Sequence, residues 1–133
     1  MRTLHLALIH YPILDREGAL VTTAMTNLDL HDMSRSGRTY GCASLFIVHP
    51  VAAQRELATR IVGHWIEGSG KKRIPARAEA LAIARVTPSL EAMIGELGGR
   101  DAVELWATAA SARDRAISTF ATAREELAGE GKD

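Results

Sequence analysis

The stretch TNLDLHDMSRSGRTYG, residues 26–41, carries Asp29, His31, Asp32, Arg35 and Arg38 close together. At helical spacing, Asp29, Asp32 and Ser36 share one face, and His31, Arg35 and Arg38 share another. A soluble amphipathic helix usually gives several such positions to Leu, Ile or Ala, whereas this one offers only Leu30, Met33 and Tyr40 for packing. The stretch therefore predicts a helix that borders a polar site. Thr26 or Asn27 supplies its N-cap and Gly41 its C′ residue.

Upstream of that helix, residues 4–9 (LHLALI) read as a buried strand that enters a loop at His10-Tyr11-Pro12. Residues 15–18 form a turn, and residues 19–24 a short extended segment. Downstream, residues 44–49 (SLFIVH) read as a second strand. Pro50 then opens a long helix to about Gly68 with Leu57, Ile61, Val62 and Trp65 on its apolar face. Residues 68–73 break the pattern as an exposed loop. A short helix over 76–80, a third strand over 81–86 and a helix from Thr87-Pro88 through Leu90, Met93, Ile94 and Leu97 follow. Residues 103–108 read as a fourth strand, and Ser118 caps a last helix through Leu127. Trp65 and Trp106 fall on apolar patterns and are expected in the core.

Strands alternating with helices over connections of this length call for right-handed crossovers. The expected fold is one α/β domain over residues 1–133, with a parallel four-stranded Rossmann-like sheet flanked by helices. Ligands in such sheets bind beyond the carboxyl ends of the strands, which here carry His10, His49-Pro50 and Thr108.

The 133 residues are 47% hydrophobic and 24% charged, enough for one core and not two. Sixteen basic and sixteen acidic residues cancel, so any nucleic-acid contact must come from a local patch. The single cysteine, Cys42, rules out an intramolecular disulfide and a zinc ribbon. The N-terminal apolar run is broken by His5 and His10, supporting neither a signal peptide nor a membrane span, so a cytoplasmic protein is expected.

Several ordered motifs point further. His10-Tyr11-Pro12, Thr26-Asn27-Leu28-Asp29-Leu30-His31-Asp32, Arg38-Thr39-Tyr40-Gly41, Phe46-Ile47-Val48-His49-Pro50, Gln54-Arg55-Glu56-Leu57 and His64-Trp65 follow one another over the first two-thirds of the chain. In these the sequence resembles the SAM-dependent RNA methyltransferases of the SPOUT superfamily, in particular a small bacterial TrmD-like branch. The resemblance implies the N-terminal part of an α/β knot fold, S-adenosyl-L-methionine as cofactor, tRNA or rRNA as substrate and a homodimer in the full-length form. The chain ends at residues 129–133, where relatives would begin another buried strand and a glycine-rich loop. The knot segment is therefore expected to be absent and the cofactor pocket incomplete, leaving the sheet with an exposed hydrophobic edge.

Methyl transfer from a sulfonium needs an aligned nucleophile and often a base. Arg35 matches the arginine of the first superfamily motif, which implies that it binds substrate and orients the nucleophile; a surface arginine paired with Asp32 or Asp29 is the plain alternative. Asp29 stands where many members carry asparagine. His31 is a candidate base by its ordinary pKa near ~6.5, or a hydrogen-bonded structural histidine. Asp29 and His31 diverge on a helix, so no metal site is expected. Asn27, Arg38, Arg113 and the basic run Lys71, Lys72 and Arg73 are candidate RNA contacts, although three exposed charges in a loop are commonly only solvated. By the resemblance, Thr108, Ala109, Ala110 and Ser111 form one wall of the cofactor pocket; the same small residues suit an ordinary tight turn. Gly68-Ser69-Gly70-Lys71 is no phosphate loop, because Trp65 stands in place of the first glycine and Lys72 in place of Ser or Thr. No serine sits in a glycine elbow. Two functions remain: an RNA methyltransferase, or a non-catalytic α/β module that binds RNA or protein.

Overall fold

A computed structural model describes residues 2–112 and 114–129. Strand β1 (His5–Ile9) is followed by a small antiparallel hairpin of β2 (Ile13–Leu14) and β3 (Leu20–Val21), closed by a turn at Asp15. The Asp15 carboxylate accepts from the Glu17 and Ala19 amides, both at 2.9 Å, and Gly18 takes the positive φ the turn needs. Helix α1 (Asn27–Thr39), strand β4 (Ser44–Val48), helices α2 (Ala52–Ile66), α3 (Ser69–Arg73) and α4 (Pro75–Leu81), strand β5 (Ala84–Thr87), and helices α5 (Leu90–Glu96) and α6 (Phe120–Ala128) complete the order.

β1, β4 and β5 form a parallel sheet in the order β1-β4-β5, with His5 opposite Ser44 and Leu45 opposite Ala84. The central β4 is buried at every residue, as its unbroken apolar run demands once both faces are covered. Alternation splits its side chains. Leu45 and Ile47 pack with Met25, Leu30, Ala58 and Leu81, under α1, α2 and α4. Phe46 and Val48 pack with Met93 and, at the margin, Leu90 and Ile94 of α5 and its C-cap residue Leu97.

The sequence expectation fails in four places, each for a physical reason. Residues 103–108 are not a strand. Only Val103 is buried, residues 105–108 pair with no sheet edge among the described residues, and Trp106 is 42% exposed, its indole N–H bonded to Glu104 at 2.8 Å. β-propensity expresses itself only against a neighbouring strand, so among the described residues the parallel sheet has three strands. β5 begins at Ala84 rather than 81, because Leu81 is buried as the last residue of α4. The basic run 71–73 lies on the short helix α3 and not in a loop. Finally, Tyr40 is 83% exposed, and the buried face of α1 is instead Leu30, Ser34 and Gly37. At Gly37 a Cβ would lie 3.0 Å from Ile83 Cδ1 and 3.1 Å from Leu6 Cδ1, so the missing side chain lets α1 lie close against the sheet.

Candidate functional site at the strand ends and the first helix

Beyond the carboxyl ends of β1 and β4, His10 and His49 lie ring against ring, centroids 4.9 Å apart, both almost fully buried. Thr23, returning from the hairpin, binds both. Its amide donates to the His10 carbonyl at 2.9 Å, with its hydroxyl 3.4 Å from the same oxygen. His10 Nδ1 and Thr23 Oγ1 share a hydrogen bond at 2.9 Å. His10 Nε2 is buried with no hydrogen-bond partner among the described residues. Burial pushes the His10 pKa down, the neighbouring His49 pushes it further, and Asp29 opposes both.

His49 has both nitrogens engaged. Nδ1 accepts from the Val51 amide at 3.2 Å, so the proton sits on Nε2, which donates to the Thr23 carbonyl at 2.9 Å. Arg55 donates to the His49 and Pro50 carbonyls at 3.0 and 2.7 Å, and the Gln54 side-chain oxygen accepts from the Met25 amide at 2.9 Å. The first turn of α2 thereby clamps the end of β4 to the chain entering α1. Thr87, at the end of β5, is fully buried with its hydroxyl unpartnered.

Helix α1 starts from a capping box. Thr26 Oγ1 accepts from the Asp29 amide at 3.1 Å, and the Asp29 carboxylate accepts from the Thr26 amide at 3.3 Å. Asn27 is exposed in the first turn. His31, one turn further on, meets Trp65 edge-on at 5.5 Å. Its Nδ1 is buried without a partner, and burial lowers its pKa, helped by Arg77 and Arg35 against Asp32. Trp65 holds more than His31: His64 meets it edge-on at 5.2 Å, and the Arg77 guanidinium lies 4.8 Å from its centroid. Arg35 and Arg38 are exposed and make no ion pair among the described residues, so the pairing of Arg35 with Asp32 or Asp29 is not found.

A family model for SAM-dependent RNA methyltransferases matches residues 3–133, nearly the whole chain. The chain belongs to that family. Two tRNA (guanine-N(1)-)-methyltransferases, from Oleidesulfovibrio alaskensis and Nitratidesulfovibrio vulgaris, are each 34% identical to it over 126 residues. Those alignments cover 95% of this chain but 30% of each relative. An uncharacterized protein of Aquifex aeolicus is 35% identical over 92 residues, 69% of this chain and 45% of that protein.

Within this chain, the sequence-expected residues fall into separate places. Asp29, Asn27, His31, Arg35 and Arg38 share α1, and Asp29 already serves the helix cap. Lys71, Lys72 and Arg73 are exposed on α3, whose Gly70 lies against Trp65. Arg113 lies outside the described residues. Thr108, Ala109, Ala110 and Ser111 are all exposed on irregular chain. A cofactor of this size needs most of its surface buried, so these four residues alone do not hold S-adenosyl-L-methionine. Among the described residues no three His, Cys, Asp or Glu side chains converge as a metal site, and no helix is long and apolar enough to cross a membrane. Thr23, Thr87, Arg60 and Arg77 escaped the sequence reading.

Proposed function

We propose that this chain is the substrate-facing part of a SAM-dependent RNA methyltransferase acting on tRNA, and that α1 presents its working residues. The observation that carries this reading is Arg35, an exposed guanidinium with no ion pair among the described residues, one turn from the half-buried His31. A planar cation held on a capped helix suits a phosphate or a developing negative charge on the reacting base. His31, kept neutral by burial, accepts the proton that a methylated nitrogen releases, and Arg38 and Asn27 supply further contacts to the RNA. Asp29 acts through the cap: it fixes the helix start and with it the positions of His31 and Arg35.

The tRNA substrate is taken from the two relatives whose names specify it. S-adenosyl-L-methionine supplies the methyl group, with Thr108, Ala109, Ala110 and Ser111 forming only one side of its pocket. The SPOUT-type knot and homodimer belong to the same reading. Exposed Leu105, Trp106, Ile117 and Phe120 offer apolar area for such pairing, and a tRNA substrate places the protein in the cytoplasm. The protein carrying this segment should transfer label from methyl-labelled S-adenosyl-L-methionine into a tRNA transcript. RNA binding without any label transfer would favour the non-catalytic module instead.

A further inference from the structure

Between the first two turns of α1 and the second half of α2 lies an open groove of about 310 Å³, lined by Asn27, His31, Arg60, Ile61, His64 and Trp65. Its floor is apolar, from Ile61 and the Trp65 indole. Its polar lining is Asn27, His31, Arg60 and His64, with no carboxylate among the described residues. Arg60 and His64 stand four residues apart on α2, on one face, and both are exposed. Arg60 has no carboxylate partner among the described residues. From the opposite wall come Asn27, in the first turn of α1, and His31, whose Nδ1 is buried with no hydrogen-bond partner among the described residues.

Trp65 holds this arrangement rigid. His31 and His64 meet it edge-on, and Arg77 lies over it. Gly70 seats so closely that a Cβ there would be 2.6 Å from the Trp65 Cε3 atom. Because Arg77 already covers a face of the indole, the ring serves as a brace and not as a platform for a base. What remains open to a ligand is a cluster of polar side chains around the Arg60 guanidinium, which has no carboxylate partner among the described residues; this is the chemistry of an anion site.

We propose that this α1–α2 groove seats a backbone phosphate of the RNA substrate, with Arg60 as its principal contact and His64 as a supporting donor. The inference rests on the RNA-methyltransferase reading and adds to it a second point of attachment, on α2, to the one at Arg35. Two such points on neighbouring helices would fix the orientation of the RNA strand as well as hold it.

The test is fluorescence anisotropy with an end-labelled tRNA transcript, titrated with the whole chain at several salt concentrations. Arg60→Ala should weaken binding about three- to tenfold and lower the slope of log affinity against log salt by about 0.7–0.9, the loss of roughly one phosphate contact. Arg60→Glu should weaken it further, while circular dichroism melting stays unchanged for both because Arg60 is exposed. Arg60→Ala with affinity and salt slope equal to wild type overturns the proposal. A Lys71→Ala, Lys72→Ala, Arg73→Ala triple variant separates the two levels. If it loses RNA while Arg60→Ala does not, RNA binding stands and the groove falls. Displacement of the tRNA by poly-glutamate at equal phosphate and carboxylate concentration would assign the groove to acidic polypeptide and likewise overturn the proposal.

Discussion

Substituting Gly70 by alanine should destabilise the protein even though alanine is the better helix former. At an unobstructed helical site the exchange gains roughly 0.5–1 kcal/mol. At Gly70 the new Cβ would sit 2.6 Å from Cε3 and 2.9 Å from Cδ2 of Trp65, and 3.0 Å from the His64 carbonyl oxygen. Carbon atoms settle at about 3.5–4.0 Å, so something must move by nearly an ångström. Neither obstacle yields easily: one is a rigid indole held by His31, His64 and Arg77, the other is helix backbone. Forcing a methyl into such a site costs about 1–3 kcal/mol, and after the helical gain of roughly 0.5–1 kcal/mol a net loss of up to about 2.5 kcal/mol remains. Gly63, in the middle of α2 with nothing within 4 Å of its virtual Cβ, is the matched control, and Gly63→Ala should gain roughly 0.5–1 kcal/mol. Urea titration followed by tryptophan fluorescence measures both. Equal stabilisation by the two substitutions would refute the packing of Trp65 described above and with it the rigid wall of the groove.

Other outcomes follow from the same geometry. Thr26→Ala should cost about 1 kcal/mol by removing one half of the α1 capping box, measured by chemical denaturation. Asp29→Asn, which keeps an acceptor, should retain most of the stability, so a loss of methyl transfer in that variant beyond its loss of folding would give the carboxylate a second role. The depressed pKa of His10 sets a pH dependence. The unfolded chain takes up a proton near pH ~6.5 while the folded one resists it, so stability is full above that value and declines as pH falls below it. His31 adds in the same direction. Denaturation curves at pH 5 and 7.5 should show the decline, and His10→Asn, which can still hydrogen-bond to Thr23, should flatten it.

Much of the architecture was readable from residue order. Thr26 and Gly41 bracket α1 because capping and positive φ are local demands, and the run SLFIV marks a central strand because both of its faces must be covered. What escaped the reading is what depends on partners. Residues 103–108 look like a strand, but a strand without a neighbour is only extended chain, and sequence does not say whether an edge is available. Tyr40 looked like a packing residue and Gly37 did not. The reverse holds, because helix-to-sheet distance favours the residue with no side chain. The strand-end histidines were visible as His10 and His49, whereas their shared partner Thr23 depends on the hairpin folding back. The groove was invisible, since His31 and Arg60 are brought together only by the packing of α1 beside α2.

The most direct test of the account is methyl transfer by Arg35 variants of the protein that carries this segment, with folding measured alongside. Arg35→Ala should lower label incorporation into tRNA by one to two orders of magnitude, since a hydrogen bond from a guanidinium to a charged group contributes about 1.5–3 kcal/mol. Its stability should change by no more than ~1 kcal/mol, as befits an exposed arginine, and Arg35→Lys should remain impaired because an ammonium lacks the planar fork. Near-normal transfer by Arg35→Ala would contradict the central claim and leave Arg35 as a surface charge.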